Sequence, residues 1–81
     1  MSDVKEPNEF TFGERAVGLD FNPSGDPKVL EVKKHYAAII DILNDDRGDN
    51  RDERARHASV GITDAETAQM RAVKALTFKR G

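Results

Sequence analysis

Residues 26–44, DPKVLEVKKHYAAIIDILN, combine a helix-start signal with a sustained apolar stripe. Asp26 is of a type preferred at the N-cap, and Pro27 suits the first helical position because its φ is already close to the helical value. The apolar residues that follow recur at steps of three and four: Val29, Val32, Tyr36, Ile39, Ile40 and Leu43. Residues at this spacing share one helix face. The sequence therefore predicts an amphipathic helix over residues 27–44.

A second long helix is predicted over residues 51–77. Residues 44–57 carry five acids and four arginines, which indicates a loop followed by an exposed helix start. Small and apolar residues then form a heptad-like line, interrupted by Gln69: Ala55, Ala58, Ile62, Ala65, Ala72 and Leu76. Gly61 costs about 1 kcal/mol relative to Ala inside a helix, and Thr63 with Glu66 could restart a helix as a capping box. We nevertheless expect one continuous helix.

A short helix over about residues 12–19 is predicted near the start of the chain, after a flexible tail of residues 1–10. Residues 1–9 are polar and show no hydrophobic periodicity. Thr11 and Glu14 have the spacing of a capping box, and Gly18 weakens the helix end. Residues 11–81 are thus expected to form a single all-α domain, a helical hairpin with the short helix packed across it.

The composition excludes several classes of protein. A chain of 81 residues is one small domain, and such chains bury only roughly 60% of their unfolded surface. The absence of cysteine rules out disulfides and thiolate metal sites and suits the reducing cytoplasm. No apolar run approaches the roughly 20 residues that span a bilayer. Thirteen basic and fifteen acidic residues nearly cancel, so neither DNA nor an acidic membrane is an expected partner.

The sequence contains few residues in the arrangements that catalysis requires. His35 and His57 are the only histidines, and neither has the partner spacing of a helical zinc site. The sequence contains neither a serine nucleophile elbow nor a phosphate loop that ends in Lys followed by Ser or Thr. We therefore expect no catalytic residues, no metal and no cofactor, and a binding protein rather than an enzyme.

Self-association is expected from the predicted fold alone. A helical hairpin has one interior line, whereas three or four helices are normally needed to enclose a core. Leu30, Ala37 and Ile42 lie off the main stripe of the first long helix, so this flank is predicted to face another chain. Contact between protomers would cover the outer apolar residues Leu30, Ile42, Met70 and Phe78. A marginally stable monomer is the alternative.

The candidate binding site is the turn FNPSGDPK, residues 21–28. Backbone N–H groups left free at a helix start attract anions, and Lys28 lies in the first turn of the helix. Phe21 offers a flat face to a ring. This combination predicts a small site for a flat, phosphorylated ligand. The alternative is an ordinary capped helix with Phe21 packed into the core.

Other basic and polar residues could join this site, from the same or a neighbouring protomer. The basic candidates are Lys33, Lys34, Arg15, Arg71 and Lys74. For each of them the alternative role is surface solubility. The polar candidates are Thr63, Thr67 and Gln69, which either line a small polar pocket or satisfy one another or water at an interface.

Two parts of the chain resemble a known family. The first comprises GERAVGL at residues 13–19 and FNPSGD at residues 21–26. The second comprises ITDAETAQM at residues 62–70, followed by AVKA at residues 72–75. Over residues 12–78 the chain is similar to small phage proteins of the anti-CBASS cyclic-nucleotide sponge family.

The resemblance implies a helical hairpin assembled as a homohexamer. It implies binding of cyclic dinucleotides such as cyclic GMP-AMP at sites shared between protomers, and some members also bind cyclic trinucleotides. The messenger would be held without cleavage in the host cytoplasm, so the CBASS effector would not be activated. Phage proteins that sequester Thoeris signals share the hairpin, so the resemblance implies the sponge role before any particular nucleotide.

The resemblance also implies roles for individual residues. Phe21 would stack on a base, the turn around Asn22 would hydrogen-bond phosphates or base edges, and Lys28 and Lys34 would neutralise phosphate charge, with Lys33 as the alternative to Lys34. The expected ligand-binding residues are Phe21, Asn22, Pro23, Ser24, Gly25, Lys28, Lys34, Arg15, Thr63 and Arg71. The chain departs from its expected relatives in having Phe21 where some have Tyr, and Arg71 where a larger aromatic is expected.

Two other functions are compatible with a small helical chain. One is an adaptor or inhibitor that docks on a host or virion protein through its apolar flanks. The other is a cyclic-nucleotide phosphodiesterase, which would need a cluster of metal ligands that the sequence does not contain.

Overall fold

The computed structural model describes residues 9–79, and in that range it contains three α-helices and no β-strand. α1 spans Phe12–Val17, α2 spans Pro27–Arg47 and α3 spans Glu53–Thr77. α2 and α3 pack together as a helical hairpin, while α1 packs mainly on α2. The predicted all-α hairpin with a short N-terminal helix is confirmed. Residues 1–8, which include most of the predicted tail, and residues 80–81 lie outside the described residues.

α1 is defined at both ends by local sequence. The Thr11 hydroxyl accepts from the Glu14 N–H (3.1 Å), and the Glu14 carboxylate accepts from the Thr11 N–H (2.9 Å), which is the predicted capping box. The helix ends at Val17 rather than Leu19 because Gly18 adopts a left-handed conformation with φ of 61°. The N–H groups of Gly18 and Leu19 then bond back to the carbonyls of Arg15 and Glu14 and close the last turn.

The connection between α2 and α3 is shorter than predicted. α2 continues to Arg47, three residues beyond the expected end, and stops at Gly48, whose φ is 49°. The Arg47 guanidinium donates to the Asn44 side chain (2.9 Å) and to the Ser59 hydroxyl (2.9 Å), so it ties the end of α2 to α3. α3 begins at Glu53 rather than at residue 51 because Asp52 is its N-cap and accepts from the Ala55 N–H at 2.9 Å.

α3 is continuous through Gly61, as expected. Its predicted inner line is buried over most of its length, at Ala55, Ala58, Ile62 and Ala65. Gln69 continues this buried line, whereas Ala72 is half-buried and Leu76 is exposed. The small residues let α2 approach closely, and the central core consists of Val17, Ala37, Ile40, Ile62 and Ala65.

The inner face of α2 differs from the predicted stripe. Ala37, assigned to the outer flank, is only 2% exposed, whereas Ile39, assigned to the core, is 47% exposed. The buried positions of α2 are Val29, Lys33, Ala37 and Ile40. Ala37 is covered by α1, because Gly13 of α1 lies directly against the backbone carbonyl of Ala37.

Several large apolar side chains remain exposed on the hairpin. Ile42, Met70 and Phe78, three of the four residues predicted to lie in a contact between protomers, are among the most exposed. Leu30, the fourth, is half-buried. No helix of the described residues is both long enough and apolar enough to cross a bilayer.

Candidate ligand-binding site at the Phe21 turn

The connection from α1 to α2 is a turn held by its own hydrogen bonds. The Phe21 N–H donates to the Gly18 carbonyl (2.9 Å), and the Gly25 N–H donates to the Asn22 carbonyl (3.1 Å). Gly25 has φ of 68°, a conformation that residues with side chains rarely adopt. The turn therefore has a defined shape before any ligand binds.

Polar side chains reinforce the second half of this turn. The Ser24 hydroxyl donates to the Asn22 side-chain oxygen (2.7 Å) and accepts from the Asp26 N–H (3.2 Å). The Asn22 amide also donates to the Asp26 carbonyl at 3.0 Å. Asn22 and Ser24, both predicted to bind ligand, thus also shape the turn.

The start of α2 does not offer the free N–H groups that the sequence predicted. Pro27 has no N–H, and the Lys28 N–H donates to the Asp26 carboxylate at 2.9 Å. The N–H groups of Val29 and Leu30 donate to the Asp26 carbonyl, at 3.0 and 3.4 Å. That part of the prediction is wrong because the cap residue itself occupies the donors. The exposed Lys28 side chain adds a full positive charge at this end of the helix.

Phe21 is exposed rather than packed into the core. Its exposed fraction is 68%, which contradicts the alternative in which the ring fills the interior. The ring forms a wall of two clefts. One, of about 220 Å³, is also lined by Asn22, Pro23, Ser24, Val29, Lys33, Val73 and Thr77. The other, of about 270 Å³, is also lined by Val17, Lys33, Gln69, Met70 and Val73.

Lys33 lies beneath the turn and lines both clefts. Its exposed fraction is 5%, and its ammonium donates to the carbonyls of Gly18 (3.0 Å) and Phe21. The ammonium is 5.6 Å from the centroid of the Phe21 ring. Burial lowers the pKa of Lys33, while the charge of nearby Asp20 acts in the opposite direction. Lys34, the neighbouring candidate, is exposed.

Gln69 is the second buried polar side chain of the described residues. With its amide oriented to satisfy both of its polar atoms, the nitrogen donates to the Val17 carbonyl at 3.1 Å and joins α3 to the end of α1. The Thr63 and Thr67 hydroxyls are exposed and donate to backbone carbonyls one turn earlier in α3. The structure therefore does not bring Thr63, Thr67 and Gln69 into one polar pocket.

The predicted site residues divide into two groups. Phe21, Asn22, Pro23 and Ser24 line one cleft, with Gly25 and Lys28 in the adjoining turn and helix start. The others are not brought to this cleft within one chain. Arg15 is exposed on α1 and donates to the Phe10 carbonyl. Arg71 lines a separate cleft together with Thr67, Met70 and Lys74. Lys34 is exposed on α2, and Thr63 is exposed on α3.

Sequence reasoning missed the part of the site that α3 contributes. Val73 and Thr77 line the same cleft as Phe21. The one available signal was their spacing of four residues from Gln69 and from each other, which places them on the same helix face. Lys33 carries a comparable signal in α2, since it lies midway between the buried residues Val29 and Ala37.

A helical hairpin that displays an aromatic ring between two clefts has the features of a small ligand-binding domain. Among residues 9–79 no group of three or more acidic or histidine side chains could hold a metal ion.

Residues 14–77 match the family described as Acb2/Tad1, hairpin domain. The chain belongs to this family, which is the anti-CBASS cyclic-nucleotide sponge family, so the resemblance seen in the sequence is confirmed. The family is one of binding domains rather than of catalytic ones. No curated protein and no solved structure matches the chain.

Proposed function

We propose that this protein binds cyclic dinucleotides such as cyclic GMP-AMP and sequesters them without cleavage in the cytoplasm of the host. The expected consequence is inhibition of CBASS immunity, because the effector is deprived of its messenger. The observation that carries the proposal is the exposed Phe21 ring, held between two clefts in a chain of the cyclic-nucleotide sponge family.

The size of the clefts supports a site shared between two copies of the chain. Clefts of about 220 and 270 Å³ are smaller than the roughly 300–1,000 Å³ of pockets that enclose a whole small molecule. Each can receive a fragment the size of a base. A cyclic dinucleotide has two bases and two phosphates, so a two-fold pair of Phe21 turns would match its symmetry.

The chemistry of the turn suits such a ligand. Stacking of a base on an aromatic side chain is worth roughly 1–3 kcal/mol. Lys28 is exposed in the first turn of α2, beside the Phe21 turn, so its long side chain can reach a phosphate there. The exposed Lys34 would act where a neighbouring copy completes the site. Two stacked bases with charge-assisted phosphate contacts are sufficient for roughly nanomolar affinity, provided that the site is already formed in the free protein.

Assembly is part of the proposal. The exposed side chains of Ile42, Met70 and Phe78 supply apolar area on the outer surface of the hairpin. Burial of such surface between copies stabilises an oligomer by about 25 cal/mol per Å² of apolar area. We propose a homo-oligomer, with a hexamer as the form implied by the family, in which neighbouring copies complete each nucleotide site.

Calorimetry with a panel of cyclic dinucleotides and trinucleotides tests the function. We expect tight binding of at least one cyclic dinucleotide, and recovery of intact ligand after the protein is denatured. A linear product would indicate a phosphodiesterase. The proposal fails if no member of the panel gives heat with micromolar protein.

The exposed apolar residues also favour a second candidate, an adaptor or inhibitor that docks on a host or virion protein. The two functions differ in what covers Ile42 and Phe78. In the sponge these residues are covered by further copies of the chain, whereas in the adaptor they are free until the partner binds. Pull-down from host lysate, run beside the nucleotide panel and ultracentrifugation, distinguishes the two.

A further inference from the structure

Lys33 is the one buried charged side chain among residues 9–79. Lysine is rarely buried without a partner, because removal of an ammonium from water is costly. Here the bonded partners of the ammonium are two backbone carbonyls, those of Gly18 and Phe21. A buried cation at this position therefore constrains the backbone conformation of the turn.

The two carbonyls lie at the two ends of one turn. The Phe21 N–H closes the same turn by donating to the Gly18 carbonyl at 2.9 Å. Lys33 thus links α2 to both ends of the segment that displays Phe21. Its ammonium also lies 5.6 Å from the centre of the ring, close enough for a cation–π attraction.

The position of the Phe21 ring determines the shape of both clefts, since it forms a wall of each. We propose that Lys33 is a positioning residue for the nucleotide site, and that it acts on affinity by fixing Phe21 between the two clefts rather than by contacting phosphate. This inference rests on the proposed function. Under it, Lys33 positions Phe21, whereas the adjacent, exposed Lys34 contacts phosphate.

The first test needs no ligand. Amide hydrogen exchange is measured in wild type and in Lys33→Met, with Lys34→Met as the matched control that loses the same charge one residue away. A hydrogen bond to a charged group corresponds to a roughly 10- to 100-fold change in an equilibrium constant. We expect Lys33→Met to speed exchange of the Phe21 amide by a factor of this order, with core amides of Ile40 and Ile62 unchanged. Lys34→Met should leave the Phe21 amide as in wild type.

The second test is a double-mutant cycle with cyclic GMP-AMP. Lys33→Met should weaken binding roughly 10- to 100-fold when Phe21 is present, but less than about 3-fold in the Phe21→Ala background. Lys33→Arg should retain most of the affinity because it keeps the charge and the donors. Lys34→Met and Phe21→Ala should instead be additive, as expected of two separate contacts.

The outcomes separate the inference from the proposed function. An unchanged Phe21 amide in Lys33→Met, or additive effects of Lys33→Met and Phe21→Ala, would overturn the positioning role. Failure of the wild type to bind any cyclic nucleotide would instead reject the function, and the exchange experiment would still show whether Lys33 orders the turn. If Lys33→Met does not fold by circular dichroism, Lys33→Gln replaces it, because its amide can still donate to one carbonyl. Exchange of the Phe21 amide in Lys33→Gln should then be faster than in wild type. Exchange at the wild-type rate would contradict the inference.

Discussion

The carbonyl oxygen of Ala37 lies so close to Gly13 that a Cβ atom on Gly13 would be 2.1 Å from it. Real atoms do not approach this closely, so α1 sits on α2 at a distance that only glycine allows. The Asp41 carboxylate completes the contact by accepting from the Gly13 N–H at 2.6 Å.

Gly13→Ala is therefore expected to destabilise the protein by about 1–3 kcal/mol, the usual cost of overpacking, even though Ala is the better helix former. Chemical denaturation gives the free energy of unfolding. Gly61→Ala is the matched control, since its Cβ would meet only the end of the Leu43 side chain, at 3.2 Å. It should remain within about 1 kcal/mol of wild type. Equal effects of the two substitutions would contradict the proposed tight contact of α1 with α2.

The ring of Phe21 should matter for binding and not for folding, because it is largely exposed. We expect Phe21→Ala to reduce affinity for a cyclic dinucleotide by roughly 1–3 kcal/mol for each stacked base, with the melting temperature almost unchanged. Phe21→Tyr should bind like wild type, and Phe21→Leu, which keeps apolar bulk but has no ring, should bind like the alanine variant. Wild-type affinity in Phe21→Leu would exclude stacking as the mode of recognition.

The pair formed by Asp46 and Arg54 predicts a pH effect at the turn between α2 and α3. The Arg54 guanidinium donates to both carboxylate oxygens, at 2.8 and 2.6 Å, and these bonds hold the pKa of Asp46 below its ordinary value of 3.8. A carboxylate with a lowered pKa in the folded state stabilises the fold above the ordinary pKa, and loses this contribution as the pH falls through the folded-state value. Because the pair is exposed, the effect should be small.

The difference in melting temperature between wild type and Arg54→Gln should accordingly be constant from neutral pH down to about pH 4, and should disappear at lower pH. Arg51→Gln is a suitable control, since it removes an exposed charge from the same connection and its effect should not follow the titration of Asp46. A difference that persists unchanged at pH 2 would show that Arg54 acts through packing and not through the charge of Asp46.

A substitution at Ile42 tests the proposed assembly of several copies of the chain. Its side chain is exposed on the outer surface of α2, so Ile42→Asp should leave the helical content of the hairpin intact but disrupt the proposed contact between copies. Ultracentrifugation should show a smaller species than for wild type. Glu31→Asp, at another exposed position of α2, should not change the size. If wild type is already a monomer, the shared nucleotide site has to be abandoned.

Features that depend on neighbouring residues could be predicted from the sequence. The Thr11 and Glu14 capping box and the Asp26 and Pro27 helix start are examples, because their partners lie within four residues. The positions of the helix ends were predicted less accurately, because they are set by the backbone conformation of Gly18 and Gly48 and by the capping side chain of Asp52.

Features that depend on distant contacts could not be predicted in the same way. The inner face of α2 includes Ala37 and Lys33 because α1 and its turn cover them. Their four-residue spacing places them on one helix face, but the spacing alone does not show that α1 packs there. Likewise the local sequence identifies the turn at Phe21 as a candidate site, but Val73 and Thr77, which line the same cleft, lie about fifty residues further along the chain.

The capping of α2 by Asp26 affects what the proposed site can discriminate. Because the first N–H groups of this helix are already engaged, the main-chain donors at its start do not prescribe where a phosphate has to sit. Lysine chains are long and adjustable, and can follow phosphate groups in rings of different circumference. Under the proposed function, selection among messengers would fall to the stiff elements, which are the phenyl plane and the walls of the two clefts. Such a protein would tolerate a defence system that changes its signal.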